Sequence, residues 1–188
     1  MRPVETQGDK KCIALIGFRG CGKTTVGREL ARLLGGECVD TDEVIVERAG
    51  RSIAEIFASE GESGFRKRES EAIREVVRTP PAVISVGGGA VLDPRNVDTL
   101  RSVACVVWLT APTEVLWERI SQDDATAACR PPLTDQPGLD EVRRLLAERT
   151  PFYQRAADLQ IDTVDRAAPE IAEEIVRRFQ PPPAQATD

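Results

Sequence analysis

The sequence predicts an α/β domain in which a five-stranded parallel sheet is flanked by helices on both faces. Continuous apolar runs, typical of strands buried on both sides, alternate along the chain with stretches of helical periodicity. This alternation is the pattern of strand–helix–strand units, which build parallel sheets. Glycine-rich or acidic segments follow several of the strands, where ligands bind at the carboxyl edge of such a sheet.

Each predicted element is bounded by a recognisable start or stop signal. Gly35-Gly36 ends the first helix, and Asp93-Pro94 begins a later one. Ser52 and Glu55 have the spacing of a capping box, which predicts a helix start at Ile53. The expected strands are 12–16, 38–39, 82–86, 103–109 and 159–161. The expected helices are 23–34, 42 to about 50, 53–59, 65–77, one starting at 94, 112–120, 139–156 and 169–179.

The domain prediction is a single unit over residues 11–180, preceded by a flexible tail (1–10) and followed by a disordered one (181–188). Residues 121–138 lack periodicity and are rich in Pro, Asp and Ala, which predicts a mobile lid. A chain of 188 residues is long enough to bury one substantial core.

Composition excludes several kinds of function. The net charge of −6 disfavours binding to nucleic acid, and the absence of histidine removes His-based triads, metal sites and general bases. No run approaches the ~18 apolar residues of a membrane span, and residues 1–11 do not resemble a signal peptide. We therefore expect no membrane partner and a cytoplasmic location. A monomer is expected, because no long apolar stripe remains unassigned.

The five cysteines indicate neither a disulfide framework nor a zinc site, because they are scattered and form no CxxC pair. Cys12, Cys38 and Cys105 fall in apolar strand-like runs and are expected to fill the core. Cys21 lies within the glycine-rich segment described next.

Residues 17–24, Gly-Phe-Arg-Gly-Cys-Gly-Lys-Thr, match the phosphate-binding pattern GxxxxGK[ST] between an apolar strand and an amphipathic helix. Glycines let backbone N–H groups approach phosphate oxygens, and the helix N-terminus adds its positive end. We expect Lys23 to reach the β- and γ-phosphates of ATP and Thr24 to bind Mg²⁺. Arg19 either touches phosphate or faces solvent. The residues assigned to the nucleotide from this loop are Gly17, Gly20, Cys21, Gly22, Lys23, Thr24 and Thr25.

The loop alone predicts a bound nucleoside triphosphate without fixing the reaction. The Asn/Thr-Lys-x-Asp base reader of a GTPase is absent, and a motor ATPase usually needs a larger chain. Asp40-Thr41-Asp42 follows the second strand, so one carboxylate could hold Mg²⁺ and the other a substrate hydroxyl. Read alone, however, Thr41 or Asp42 could simply cap a helix.

Three further segments stay ambiguous when read singly. Arg66 and Glu69 share a helix face, but read alone Arg66 is better explained as a surface residue. The triplet 87–89, Gly-Gly-Gly, follows a strand and could contact a ligand or form a tight turn. Arg130 lies in the predicted lid, and Arg149 lies on the helix after it.

Together these segments resemble the shikimate kinase family. The shared features are residues 17–24, Asp40-x-Asp42, Phe65-Arg66-x-x-Glu69, the 87–89 triplet, Arg130-Pro131 and Glu148-Arg149-x-Pro151-x-Tyr153. They occur in the family's order and spacing over about residues 11–179. The resemblance implies a nucleoside monophosphate kinase-like fold with a substrate-binding segment at about 42–78. It also implies transfer of the γ-phosphate of ATP to the 3-hydroxyl of shikimate, in aromatic amino acid biosynthesis.

The resemblance also implies a role for each residue. Asp40, helped by Ser85, would order Mg²⁺, and Asp42 would bind the shikimate hydroxyls and orient the attacking one. Arg66, steadied by Glu69, and Arg149 would grip the carboxylate. Arg130 would neutralise phosphate charge together with Lys23. The 87–89 triplet (Gly87, Gly88, Gly89) would contact shikimate through its backbone.

This chain departs from the family at the start of the lid. The family often places there an arginine that stacks on adenine, whereas residues 121–124 read Ser-Gln-Asp-Asp. Arg119 and Arg166 are the alternative adenine contacts, and Arg166 is assigned to the nucleotide site. The alternative functions are a related small-molecule kinase, such as a gluconate kinase, and a non-catalytic ATP-binding regulator.

Overall fold

The computed structural model describes residues 12–122 and 138–179. Its five strands form one parallel sheet in the order β2-β3-β1-β4-β5. The strands are β1 (Cys12–Ile16), β2 (Cys38–Asp40), β3 (Val83–Ser85), β4 (Ala104–Thr110) and β5 (Leu159–Asp162). All five predicted strands are confirmed, with ends that differ by at most one residue.

Seven α-helices lie within these ranges and connect the strands. They are α1 (Lys23–Leu34), α2 (Thr41–Ala49), α3 (Ile53–Val76), α4 (Pro94–Arg101), α5 (Thr113–Ser121), α6 (Leu139–Ala156) and α7 (Ala168–Phe179). The caps expected from the sequence are present: Gly35 ends α1 in a left-handed conformation, and Asp93 caps α4 ahead of Pro94. None of these helices is both long and apolar enough to cross a membrane.

The two helices predicted over 53–59 and 65–77 are present as the two halves of α3, which meet at Gly61. The φ of 68° and ψ of −176° of Gly61 are not helical, so α3 is kinked there. Glycine adopts this positive φ without the steric cost that a Cβ imposes, so the chain turns and resumes its helix within one residue. The kink lets the two halves of α3 approach one site from different directions.

The core consists of two apolar layers, one on each face of the sheet. Along β1, Ile13 and Leu15 pack with α1, α5 and α7, whereas Cys12, Ala14 and Ile16 face α4 and α6. Each of these five side chains is at most 1% exposed. Burial on both faces explains why β1 is a continuous apolar run, as parallel sheets require.

Replacing Ser52 with Ala should lower the free energy of unfolding by about 1 kcal/mol, because it removes one half of the capping box at α3. The Ser52 hydroxyl accepts a hydrogen bond from the Glu55 N–H at 3.2 Å, and Glu55 accepts one from the Ser52 N–H at 2.7 Å. Urea denaturation followed by circular dichroism measures the change. Ser102→Ala, at the exposed C-terminal end of α4, is the control. Equal stability of the two variants would contradict a capping role.

Candidate active site

The candidate site lies where the order of the strands reverses. β1 has β3 on one side and β4 on the other, and crevices for ligands form beside such a central strand at its carboxyl end. The segment 17–22 follows β1, Asp40 ends β2, and the 87–89 triplet follows β3. The sheet therefore brings together three segments that the sequence had singled out separately.

The segment after β1 has the backbone of a phosphate loop. Gly20 and Gly22 have φ values of 82° and 88°, which L side chains rarely adopt. A Cβ on Gly17 would overlap the carbonyl oxygen of Leu109 on β4. The Lys23 ammonium donates hydrogen bonds to the carbonyl oxygens of Gly17 and Phe18, at 2.9 and 3.0 Å. These two bonds hold the ammonium against the loop at the start of α1.

The carboxylate of Asp40 connects three elements beside this loop. Its Oδ2 accepts hydrogen bonds from Ser85 Oγ at 2.9 Å and from Thr24 Oγ1 at 3.3 Å. Its Oδ1 accepts the backbone N–H of Asp42 at 2.9 Å and so caps α2. A carboxylate with two hydroxyl oxygens next to a phosphate loop is a donor set that suits a hard cation such as Mg²⁺.

The larger of two neighbouring cavities, about 1070 Å³, opens over the phosphate loop. At one end lie Gly20, Cys21, Gly22, Lys23, Thr24 and Thr25. Arg119 and Arg166 also line it: Arg119 donates hydrogen bonds to the hydroxyl and carbonyl oxygens of Thr163, at 3.0 and 2.9 Å. Arg166 forms an ion pair with Glu174 at 2.6 Å. Both arginines are therefore held in place on the wall of the nucleotide-sized cavity.

A smaller cavity of about 300 Å³ adjoins the first. Arg66, Glu69, Arg149 and Asp42 supply its charged wall, together with the 87–89 triplet. Asp42, Gly87, Arg19 and Ile53 line both cavities. Asp42 is only 7% exposed. A buried carboxylate thus stands at the junction between a phosphate-binding space and a space rich in guanidinium groups.

An ion pair between Arg66 and Glu69 organises the wall of the smaller cavity. Arg66 Nη1 lies 2.9 Å from Glu69 Oε2, and Glu69 is 1% exposed. Burial raises the pKa of Glu69 to about 7, an effect that the Arg66 guanidinium opposes and the nearby Asp42 carboxylate reinforces. Because Glu62 is the second carboxylate bound to Arg66, the guanidinium is fixed from two sides.

No residue of the 87–89 triplet has a positive φ, so the backbone conformation does not require glycine there. Glycine is needed because there is no space for side chains. A Cβ on Gly87 would lie 2.6 Å from Glu69 Oε1 and 2.9 Å from Asp42 Oδ1. A Cβ on Gly89 would overlap the guanidinium of Arg66. The absence of side chains therefore lets the charged groups reach the loop backbone.

Nearly all of the residues assigned from the sequence meet at these two cavities. Gly17 does not line either cavity, but its carbonyl anchors Lys23. Arg19 lines both cavities, so it is not simply a solvent-facing residue. Arg130 and Cys129, with most of the predicted lid, lie in 123–137, outside the described residues.

The sequence prediction missed the apolar side of the smaller cavity. Phe18, Ile53 and Phe57 line it, and the rings of Phe57 and Phe65 lie 4.7 Å apart. Phe57 and Phe65 lie on opposite sides of the kink in α3, and the sequence carries no signal for the angle at Gly61 that brings them together. The hydroxyl of Thr41, between the two aspartates, accepts the Gly87 N–H at 3.3 Å and is fully buried.

Comparison with known proteins gives one consistent result. A family model described as shikimate kinase matches residues 19–180. A shikimate kinase of Rhodopirellula baltica is 47% identical over 163 residues, which are 87% of each chain. The structure of a shikimate kinase from Acinetobacter baumannii in complex with shikimate matches with a TM-score of 0.84 and 37% identity. That match covers 90% of this chain and 93% of the other.

A gluconokinase structure from Sinorhizobium meliloti matches with a TM-score of 0.56. Its identity is 16%, over 91% of this chain and 92% of that one. At this identity the likeness concerns the fold alone.

The buried carboxyl of Glu69 should make stability depend on pH in a defined direction. Folding raises the pKa of Glu69, so the native state binds the Glu69 proton more tightly than the unfolded state does. The stability gained from this proton is fully present below about pH 4.5 and is lost as pH rises through 7. Between pH 5 and 8 the unsubstituted chain should therefore lose roughly 2–3 kcal/mol of unfolding free energy relative to Glu69→Gln, which has no proton to lose at this position. Urea denaturation at four pH values measures it. Parallel pH profiles would contradict the raised pKa.

Proposed function

The chain belongs to the shikimate kinase family, and we propose that its two adjoining cavities hold ATP and shikimate for transfer of the γ-phosphate to the 3-hydroxyl. The products are shikimate 3-phosphate and ADP, in the pathway of aromatic amino acid biosynthesis. The observation that carries this assignment is the position of Asp42 at the junction of the cavities, with the phosphate loop on one side and Arg66 and Arg149 on the other.

The smaller cavity suits a compact polyhydroxylated carboxylate. Guanidinium groups match the planar, two-pronged geometry of a carboxylate, so Arg66 and Arg149 are proposed to bind that end of shikimate. Phe57 and Ile53 provide an apolar face for the ring carbons. Backbone groups of the 87–89 triplet are close enough to the cavity to contact the ligand without intervening side chains.

Asp42 is proposed to orient the attacking hydroxyl toward the γ-phosphate. Phosphoryl transfer proceeds through a loose transition state in most analyses, so the hydroxyl proton leaves late and positioning matters more than basicity. Asp42 can accept a hydrogen bond from the hydroxyl and hold its oxygen in line, because it borders both cavities. With no histidine in the chain, a carboxylate is the natural group for this role.

Charge on the phosphates is proposed to be neutralised from several directions. Lys23 lies at the loop and can exchange its hydrogen bonds to carbonyl oxygens for phosphate oxygens. Mg²⁺ would supply charge neutralisation at the phosphates, and Thr24 and Asp40, supported by Ser85, are the residues that would hold it. Arg130, which the family pattern places in the lid, is proposed to contribute a further positive charge.

The adenine is proposed to lie between Arg119 and Arg166, since the family's early-lid arginine is replaced here. Both guanidinium groups border the larger cavity and are fixed by neighbours, which suits stacking on a flat base.

A cytoplasmic monomer is also proposed. Cys12, Cys21 and Cys38 have free thiols, as in a reducing compartment. The large apolar side chains exposed in those residues are only Leu33 and Val46. The expectation that neither nucleic acid nor membrane is a partner stays a prediction from composition.

The function is tested by release of ADP in a coupled assay with Mg·ATP and either shikimate or gluconate at equal concentration. Shikimate should be turned over far faster than gluconate, because gluconate is a flexible open chain that does not match a cavity built for a ring. Faster turnover of gluconate would establish the related kinase instead. Tight ATP binding without turnover of either acid would indicate a regulator.

Arg66→Ala should weaken shikimate binding by roughly 2–4 kcal/mol, because it removes a charge-assisted contact and leaves Glu69 buried without its partner. The affinity for ATP should be unchanged. Isothermal titration with each ligand separates the two effects. Arg68→Ala is the matched control, because Arg68 lies on the same helix and pairs with Glu60 outside both cavities. Unchanged shikimate affinity in Arg66→Ala would remove Arg66 from the site.

A further inference from the structure

We propose that the hydroxyl of Tyr153 is a positioning group that sets the shikimate-binding geometry of the 87–89 triplet. The inference rests on the proposed function, because it concerns the same cavity. Tyr153 does not line that cavity and is fully buried, so it acts through the groups that do.

The hydroxyl contacts the triplet directly. Tyr153 Oη donates a hydrogen bond of 2.5 Å to the carbonyl oxygen of Gly88, 65 residues earlier in the chain. On the other side, the buried hydroxyl of Thr41 accepts the N–H of Gly87. The triplet is thus held at consecutive residues by α6 and by α2, which fixes the direction in which its peptide groups point.

Arg149 lies one helical turn before Tyr153 on α6. Its guanidinium lies over the ring of Phe18, with 5.5 Å between Cζ and the ring centroid, and its positive charge opposes part of the rise in the pKa of the phenol. A phenol has one proton to donate, and here Gly88 receives it.

The ring itself has little freedom to move. It stacks against Trp108 on β4, with 5.6 Å between ring centroids and 22° between planes. Burial also raises the pKa of the phenol, which keeps the proton on Oη and preserves the donor to Gly88. Peptide groups that must meet a ligand in one orientation gain from such a fixed neighbour, because less conformational freedom is lost on binding.

Tyr153→Phe should raise the KM for shikimate about tenfold, while the KM for ATP stays within about twofold. The tenfold change corresponds to about 1.4 kcal/mol, the scale of one lost hydrogen bond. Trp108→Phe is the matched control: it disturbs the same packing but keeps the hydroxyl, so it should lower thermal stability and leave the KM for shikimate within about twofold. Equal KM changes for both substrates in Tyr153→Phe, or an increase as large in Trp108→Phe, would overturn the inference.

A direct readout needs no substitution, because Tyr153 is the single tyrosine of the chain. In protein labelled with 3-fluorotyrosine, the one ¹⁹F resonance should shift when shikimate is added to saturation. A resonance that does not move would overturn the positioning role even if Tyr153→Phe fails to fold. Normal turnover with unchanged KM in Tyr153→Phe would also overturn this inference but leave the proposed function intact. Absence of shikimate turnover in the unsubstituted enzyme would remove both.

Discussion

The carboxylate of Asp40 is the constraint on which the rest of the site depends. Three groups from different parts of the chain bond to this side chain: the hydroxyls of Thr24 and Ser85 and the N–H of Asp42. Through these bonds the start of α1, the end of β3 and the first turn of α2 share one reference point. The position of Asp42, and with it the junction of the two cavities, follows from that arrangement.

The second cavity is defined by charge that is almost fully removed from water. Burying Glu69 is costly, and the cost is offset only because Arg66 is close enough to pair with it. The same crowding explains the 87–89 triplet, since any Cβ on Gly87 or Gly89 would occupy the space of these charged groups. The buried pair also fixes the guanidinium of Arg66, which is proposed to bind the substrate carboxylate.

Most of the fold was predictable because local signals agree with the tertiary structure. The apolar run of β1, the capping box at Ser52 and the glycine after α1 each act over a few residues, and the structure has all three. The angle between the two halves of α3 was not predictable, because a single residue with positive φ leaves the helical signals intact on both sides of Gly61. The contacts of Thr41 and Tyr153 were also out of reach, since they join residues 46 and 65 positions apart.

The chain is acidic overall, but the side chains that line its two cavities include several basic residues. A net charge of −6 repels both ATP and a carboxylate at long range, but such forces fade over roughly 8–10 Å at moderate salt. Lys23, Arg66, Arg119, Arg149 and Arg166 line the cavities, where they are proposed to act on the ligands at contact distance. Affinity for two anions on an anionic protein must then come from groups whose geometry is fixed before the ligands arrive. The neighbours that hold Arg66, Arg119 and Arg166 in place supply that fixed geometry.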